Sequence, residues 1–379
     1  MKTKAFKEPV YVTQSLVAPL KEVTSKVKQV IQSGWLTNFG VQHNQLQKKL
    51  KTYFRCSNLD LFCNGHLALD IAIKALDLKG EVITTPFTFA STTHAIFLNG
   101  LTPIFCDINP TTYTIDPEKI EALITPKTSA ILAVHVFGNP CDVTRIEKIA
   151  KKYKLKIIYD AAHAFGVTLG STSIASQGDV SMFSFHATKV FNTVEGGCLV
   201  FKDNKLARKI YLLKNFGIEN EDCVSIPGVN GKMNEIQAAI GLLNLKLVNT
   251  SIKKRKRVAQ WYSQSLTNIK GLTLPSQIKN VDSNYAYYPI LIDKDTFGLS
   301  RDAVYMALKK YNIFSRKYFY PLASHFDCYK HLRTARSKTL PVAEEISKKV
   351  LCLPLYANLD KKSVGKICEI IGHISNEKI

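Results

Sequence analysis

Between about residues 60 and 205, short and nearly continuous apolar runs alternate with stretches whose apolar residues recur every three or four positions. The runs EVITTP (81–86), TPIFCDI (102–108), SAILAVHVF (129–137), LKIIYDA (155–161) and VSMFSF (180–185) are rich in Val, Ile and Phe. Each is bounded by Gly, Pro, Asp or Asn, which is how strands are punctuated. Between them, GHLALDIAIKALDL, PEKIEALI and DVTRIEKIAKKYK carry apolar residues at helical spacing. Strands that are apolar on both sides need cover on both faces. Their alternation with helices therefore predicts an α/β fold with a mostly parallel central sheet flanked by helices. After about residue 245 the rhythm changes. A Lys-rich helix over about 233–268 leads into NYAYYPILI, then SRDAVYMALKKYN, then a last helix around SVGKICEIIG. The pattern predicts a large domain over 1–245 and a smaller α+β domain over 246–379.

Composition narrows the function classes. At 379 residues with 46% hydrophobic content the chain can bury a full-sized core, and its apolar runs are far shorter than a bilayer span. The opening MKTKAFKEPVYVTQ lacks an apolar core of the secretory kind. Nine cysteines stand singly, with no C-x-x-C pair, so reduced thiols and a cytoplasmic location are expected, without a metal site. The formal charge of +21 comes from 51 basic against 30 acidic residues, and the positive residues are mostly Lys spread along the whole chain. The one dense cluster, Lys253 to Arg257, precedes a helical pattern and reads as a solvated face. No zinc-finger, basic-zipper or aromatic-interleaved motif supports a nucleic-acid partner.

In such sheets the reactive groups collect beyond the carboxyl ends of the strands. That rule points to Asn64 to His66, Thr85 to Phe89, His135, Asp160 to His163 and Ser184 to Lys189, all expected to project toward one place. Asp160 closes a strand beside small residues and could pair with a cationic ring nitrogen; as an Asp before a turn it could equally cap a helix. Lys189 follows the next strand, where a partly dry crevice would lower its pKa and suit it to a Schiff base. An Asp for a pyridinium nitrogen and a Schiff-base Lys are the minimal set for pyridoxal phosphate (PLP). The turn before GHLALDIAIKAL offers backbone N–H groups and a positive helix end to a phosphate. Ser184 could add a hydroxyl, and Phe89 could cover a ring face or simply pack.

Taken in order, GWLTNFG (34–40), NGHLAL (64–69), GEVITTPFTFAST (80–92), VHVFGNPCD (134–142), IIYDAAHAFG (157–166), SFHATKVFNTVEGG (184–197) and GVNGKMNEIQAAIGLLNL (228–245) resemble the DegT/StrS family of PLP-dependent sugar aminotransferases. The resemblance continues to FYPL and VLCLPLY near the C-terminus, and it implies the fold-type I aminotransferase architecture. It further implies Lys189 as the lysine that holds PLP, Asp160 as partner of the pyridine nitrogen, His163 near the ring hydroxyl and Phe89 stacked on the ring. Gly65, His66 and Ser184 would hold the phosphate, with Asn230 reaching in from the second subunit of a homodimer. His66 departs from the Thr usual at this turn: a backbone contact survives, a hydroxyl contact does not.

Within the family the strings look most like the branch forming 4-amino-4,6-dideoxyglucose (viosamine) as a nucleotide sugar for surface glycans such as O-antigen. The implied reaction runs in two halves: L-glutamate gives its amine and leaves as 2-oxoglutarate, and the amine then passes to C-4 of a nucleotide-linked 4-keto-6-deoxyhexose. A 3-amino or perosamine-forming transaminase remains the alternative. A basic binding protein on a degenerate aminotransferase fold is a more distant one. A dehydrating branch carries His in place of this lysine, which Lys189 argues against.

Overall fold

The computed structural model describes residues 4–376; residues 1–3 and 377–379, the outer ends of the two expected domains, lie outside the described residues. The central sheet has seven strands: β1 (Leu59–Phe62), β2 (Glu81–Thr84), β3 (Thr102–Phe105), β4 (Thr128–Val134), β5 (Lys156–Asp160), β6 (Val180–Ser184) and β7 (Gly197–Phe201). Their spatial order is β1-β7-β6-β5-β4-β2-β3, and β7 runs antiparallel to both its neighbours while the pairs from β6 to β3 are parallel.

Alternation along the strands shows why both faces are covered. Ile131 and Ala133 of β4, with Ile157 and Tyr159 of β5, enter one core with Leu46, Leu50 and Phe54. Ala130 and Leu132, with Ile158, enter the opposite core with Ile71, Ile96 and Leu213. The helices that supply this cover are α1 (Leu20–Ser33), α2 (Val41–Phe54), α3 (Gly65–Ala75), α4 (Ala90–Leu98), α5 (Val143–Tyr153) and α6 (Lys205–Lys214). The local sequence explains α5 in full. The Asp142 side chain accepts from the Arg145 N–H at 3.0 Å, Val143, Ile146, Ile149 and Ala150 form the buried stripe, and Lys154 ends the helix in the left-handed region.

A 32-residue helix, α7 (Glu235–Leu266), connects this layer system to the C-terminal part. Its Ala238 and Leu242 lie in the sheet's core, whereas Val258, Ala259, Tyr262 and Leu266 lie in a second core. The boundary we propose at residues 245 and 246 thus falls inside a helix that serves both cores. The second core is built on a small antiparallel sheet of β8 (Leu272–Thr273), β9 (Tyr288–Ile292) and β10 (Val350–Leu353), in the order β8-β9-β10. Helices α8 (Arg301–Lys310), α9 (Pro341–Lys349) and α10 (Lys361–Asn376) complete that part. Among the described residues no helix is long and apolar enough to cross a membrane.

The five strands expected from the apolar runs are present but end before the runs do, because the last residues of each run turn out of the sheet toward its carboxyl edge. The pattern does not single out β1 and β7. The short LDLF of β1 contains Asp60, whose buried carboxylate is paired with the buried Lys214.

Candidate active site

The carboxyl ends of β5 and β6 and the loop after β6 bring the principal groups together. Asp160, the last residue of β5, is buried. Its Oδ2 accepts from the Thr92 hydroxyl at 2.7 Å and its Oδ1 from the Ala162 N–H at 3.1 Å. Burial pushes its pKa up; the two hydrogen bonds and the positive charge of Lys189 pull it back. Asp160 is thus a buried carboxylate met by neutral donors and by the field of one lysine, short of a direct cationic partner.

Lys189 stands in the turn after β6, where its own N–H donates to His186 O at 2.9 Å. Loss of water around the amine lowers its pKa to about 8, with Asp160 acting in the opposite direction. Among the described residues no carboxylate forms an ion pair with it. Lys189, Thr188, His163 and Tyr287 line one narrow cavity.

His163 is also buried, and desolvation together with Lys189 keeps its imidazole neutral by drawing its pKa well down. Its Nδ1 accepts from the Phe137 N–H at 3.3 Å. The C-terminal part closes over this ring. Phe319 stacks on it at 5.8 Å and 10°, and Tyr287 meets it edge-on at 5.1 Å.

The turn before α3 lies against the end of β6. Asn64 caps α3 by accepting from the Leu67 N–H at 2.8 Å, which leaves the Gly65 and His66 N–H groups without a partner among the described residues. Gly65 is required by close approach: a Cβ there would lie 2.9 Å from the Ser184 Cβ. Gly197 of β7 fits the same knot, since a Cβ on it would come within 2.8 Å of the Gly65 backbone. Two free N–H groups at the positive end of an 11-residue helix, beside a serine hydroxyl, form a setting for a dianion. The His66 side chain is turned away to Ser91, with Nδ1 2.8 Å from its Oγ.

Phe89 occupies the residue before α4 and is 62% exposed, with no aromatic neighbour among the described residues. Asn230 is exposed on the loop leading to α7, paired through an isolated bridge with Asn215. His135, expected at the crevice with the others, is instead in the core. It stacks on Tyr159 at 4.6 Å, and its Nδ1 accepts from the Cys141 N–H at 3.0 Å. Thr85 is likewise buried, its hydroxyl accepting from the Phe87 N–H at 3.1 Å. Among the described residues no group of three or more His, Cys, Asp or Glu is arranged to hold a metal.

Sequence reasoning missed Thr92, Tyr287 and Phe319. Thr92 lies within TTPFTFAST, and a hydroxyl on the first turn of a helix opposite a strand-end Asp was the available signal. Tyr287 and Phe319 reach the site from the C-terminal part, packed in one cluster with Phe87 and Phe137, and no local pattern announces such contacts.

The residues present fit pyridoxal phosphate. Asp160 is a buried carboxylate suited to a protonated ring nitrogen, Lys189 is a desolvated amine, and the start of α3 has free N–H groups for the phosphate. The model of the DegT/DnrJ/EryC1/StrS aminotransferase family matches residues 20–372. A dTDP-4-amino-4,6-dideoxy-D-glucose transaminase from Escherichia coli is 47% identical over 366 residues, covering 95% of this chain and 97% of that protein. The crystal structure of DesI in the presence of its TDP-sugar product superposes with a TM-score of 0.94 at 31% identity, covering 99% of this chain and 95% of DesI. NtdA from Bacillus subtilis, solved with bound cofactor PMP, matches with a TM-score of 0.85 at 28% identity, covering 94% of this chain and 82% of NtdA.

Proposed function

The chain belongs to the DegT/DnrJ/EryC1/StrS aminotransferase family, and from that premise we propose that it is a PLP-dependent nucleotide-sugar transaminase. It moves an amino group from L-glutamate to C-4 of dTDP-4-keto-6-deoxy-D-glucose, giving dTDP-4-amino-4,6-dideoxy-D-glucose for surface glycan assembly in the cytoplasm. The observation that carries this reading is the desolvated Lys189 amine beside the buried Asp160 carboxylate, in a chain nearly half identical to a transaminase named for that product.

When bound, PLP supplies an electron sink for the carbon that gains or loses nitrogen. The chain's own groups do the rest. Asp160 holds the ring nitrogen protonated, and the Thr92 and Ala162 bonds fix the carboxylate's orientation. His163, kept neutral by burial, would contact the ring hydroxyl, and Phe89 would cover a ring face. The Gly65 and His66 N–H groups and the Ser184 hydroxyl take the phosphate. Asn230 of a second copy completes the phosphate's contacts, which makes the homodimer the working unit.

Lys189 has two tasks. It holds the cofactor covalently at rest, which requires a neutral amine, and a pKa of about 8 leaves a useful share of that form near neutral pH. Once released, Nζ takes the proton from the α-carbon of glutamate and later delivers a proton to C-4 of the sugar. Phe319 and Tyr287 keep water from the His163 side of the cavity.

The test is product analysis. With dTDP-4-keto-6-deoxy-D-glucose and ¹⁵N-glutamate, NMR of the product is expected to place the label on C-4. A label on C-3, or turnover restricted to a GDP-linked keto-sugar, would replace this assignment with a 3-amino or perosamine-type transaminase. Borohydride is expected to fix the cofactor to the peptide containing Lys189. A Lys189→Ala protein that still turned over would overthrow the mechanism.

A further inference from the structure

The first turn of α7 touches both halves of the proposed cofactor site through one side chain, Gln237. Its Nε2 donates to Cys63 O at 3.1 Å and to Glu195 O at 2.8 Å. Cys63 immediately precedes the turn Asn64–Gly65–His66, and Glu195 lies in the loop that follows Lys189. The Oε1 of the same carboxamide accepts from the Asn234 N–H at 3.1 Å, while Asn234 accepts from the Gln237 N–H at 2.8 Å.

The chemistry of the position separates two roles. The reciprocal pair Asn234 and Gln237 is a capping box, in which the third helical residue needs only to accept a hydrogen bond. Glu does that as well as Gln, and its charge suits the positive helix end better. What Gln adds is two N–H donors, and both are spent on carbonyls from separate loops. Neighbouring bonds make these two attachments consequential. The Cys63 N–H is held by Gly231 O at 2.9 Å, so the residue before the phosphate turn is gripped at both its backbone groups from the α7 side. Glu195 O also accepts from the Thr193 hydroxyl at 2.6 Å. The Gly196 carbonyl accepts the Phe185 N–H at 2.8 Å, next to Ser184.

We propose that Gln237 is a positioning residue that clasps the phosphate turn to the loop after Lys189, fixing the separation between the cofactor's phosphate anchor and the lysine. The inference rests on the reading of this site as one for pyridoxal phosphate. Through the Cys63 bond Gln237 sets where the Gly65 and His66 N–H groups lie, and through Glu195 it sets the loop that carries Lys189. It touches no ligand itself.

The experiment compares PLP with pyridoxal, which has the same ring and aldehyde but no phosphate. Both are titrated into the cofactor-stripped full-length protein, wild type and Gln237→Glu. Glu keeps the capping acceptor and removes both donors, and it adds a negative charge at the helix end, which the Met variant does not. The expected result is a loss of about tenfold or more in PLP affinity, the scale of one or two hydrogen bonds, with pyridoxal affinity unchanged. Gln237→Met, uncharged and of similar length, is expected to repeat the phosphate-selective loss and serves if the Glu variant fails to fold. Equal weakening of both ligands, or of neither, in a folded variant overturns the role of Gln237. A wild-type protein that binds neither ligand, or binds them equally, overturns instead the reading of the site on which the inference rests.

Discussion

Lys189 is one of 51 basic residues, and it differs from the lysines of the solvated faces in the water its amine has lost. Its pKa of about 8 in the fold, against an ordinary 10.5, fixes the sign of a stability effect. Below pH 8 the folded chain must hold a desolvated ammonium, so the cost is fully present. Between pH 8 and 10.5 the folded state sheds the proton that the unfolded chain keeps, and the cost fades as pH rises. In the cofactor-free protein, Lys189→Met is therefore expected to raise the melting temperature at pH 7, by a stabilisation on the order of 1–3 kcal/mol. The gap should shrink as pH climbs past 8, and identical melting curves at pH 7 would show that the amine is solvated after all. Asp160 carries the opposite charge under the same burial, and its pKa is raised. Asp160→Asn keeps the shape and relieves that burial, yet cannot hold a ring nitrogen protonated. It should fold at least as well as wild type while kcat falls by at least about a hundredfold, and an unchanged kcat would refute the role.

At the scale of elements, the start of α7 also caps a second helix. The buried Glu235 carboxylate accepts the Gln42 and His43 N–H groups at 2.8 Å each, at the N-terminus of α2. Gly40 makes room for it, since a Cβ there would fall 2.6 Å from the Glu235 Cδ. Glu235→Ala should cost about 1–2 kcal/mol in chemical denaturation and speed amide exchange in the first turn of α2. A variant as stable as wild type with unchanged exchange would show that water replaces the carboxylate. None of this is legible in the sequence. GWLTNFG and MNEIQ are 194 residues apart when Gly40 is counted against Asn234, and only the fold joins them. The placement of Asp160 and Lys189 at or just beyond strand ends follows from periodicity and spacing, whereas the roles proposed for them come from the resemblance. The α3 turn could be read in the same way, because cap and helix are local. His135 sits at a strand end too, but its ring turned inward to Tyr159, since alternation decides which face a residue takes and the apolar run around it hides that alternation. Strand β1 escaped because it carries the charge of Asp60, which its contact with Lys214 neutralises.

For the molecule as a whole, the proposed site draws on more than one core and on more than one copy. The carboxyl edge of the sheet supplies Asp160, with His163 and Lys189 on the loops that follow β5 and β6, and the C-terminal part covers His163 with Tyr287 and Phe319. Asn230 is exposed, and loops near it and the start of α7 expose Leu36, Val194 and Phe216 at 45%, 56% and 46%. Apolar side chains left open beside a polar group are what a second copy would bury, and an isologous contact would bring each Asn230 to the other protomer's site. Complementation tests this directly. Lys189→Ala and Asn230→Ala proteins are each expected to be nearly inactive as homodimers. In the mixed dimer, one site combines both substitutions and is dead, while the other receives Lys189 from one protomer and Asn230 from its partner, both intact. Co-expression with two different tags and sequential purification isolates that species, which should recover about half of the wild-type activity per dimer. If each protomer instead used its own Asn230, both sites of the mixed dimer would carry a defect and activity would stay at the level of the parents. A monomer in sedimentation, still active, would remove the partner from the mechanism altogether.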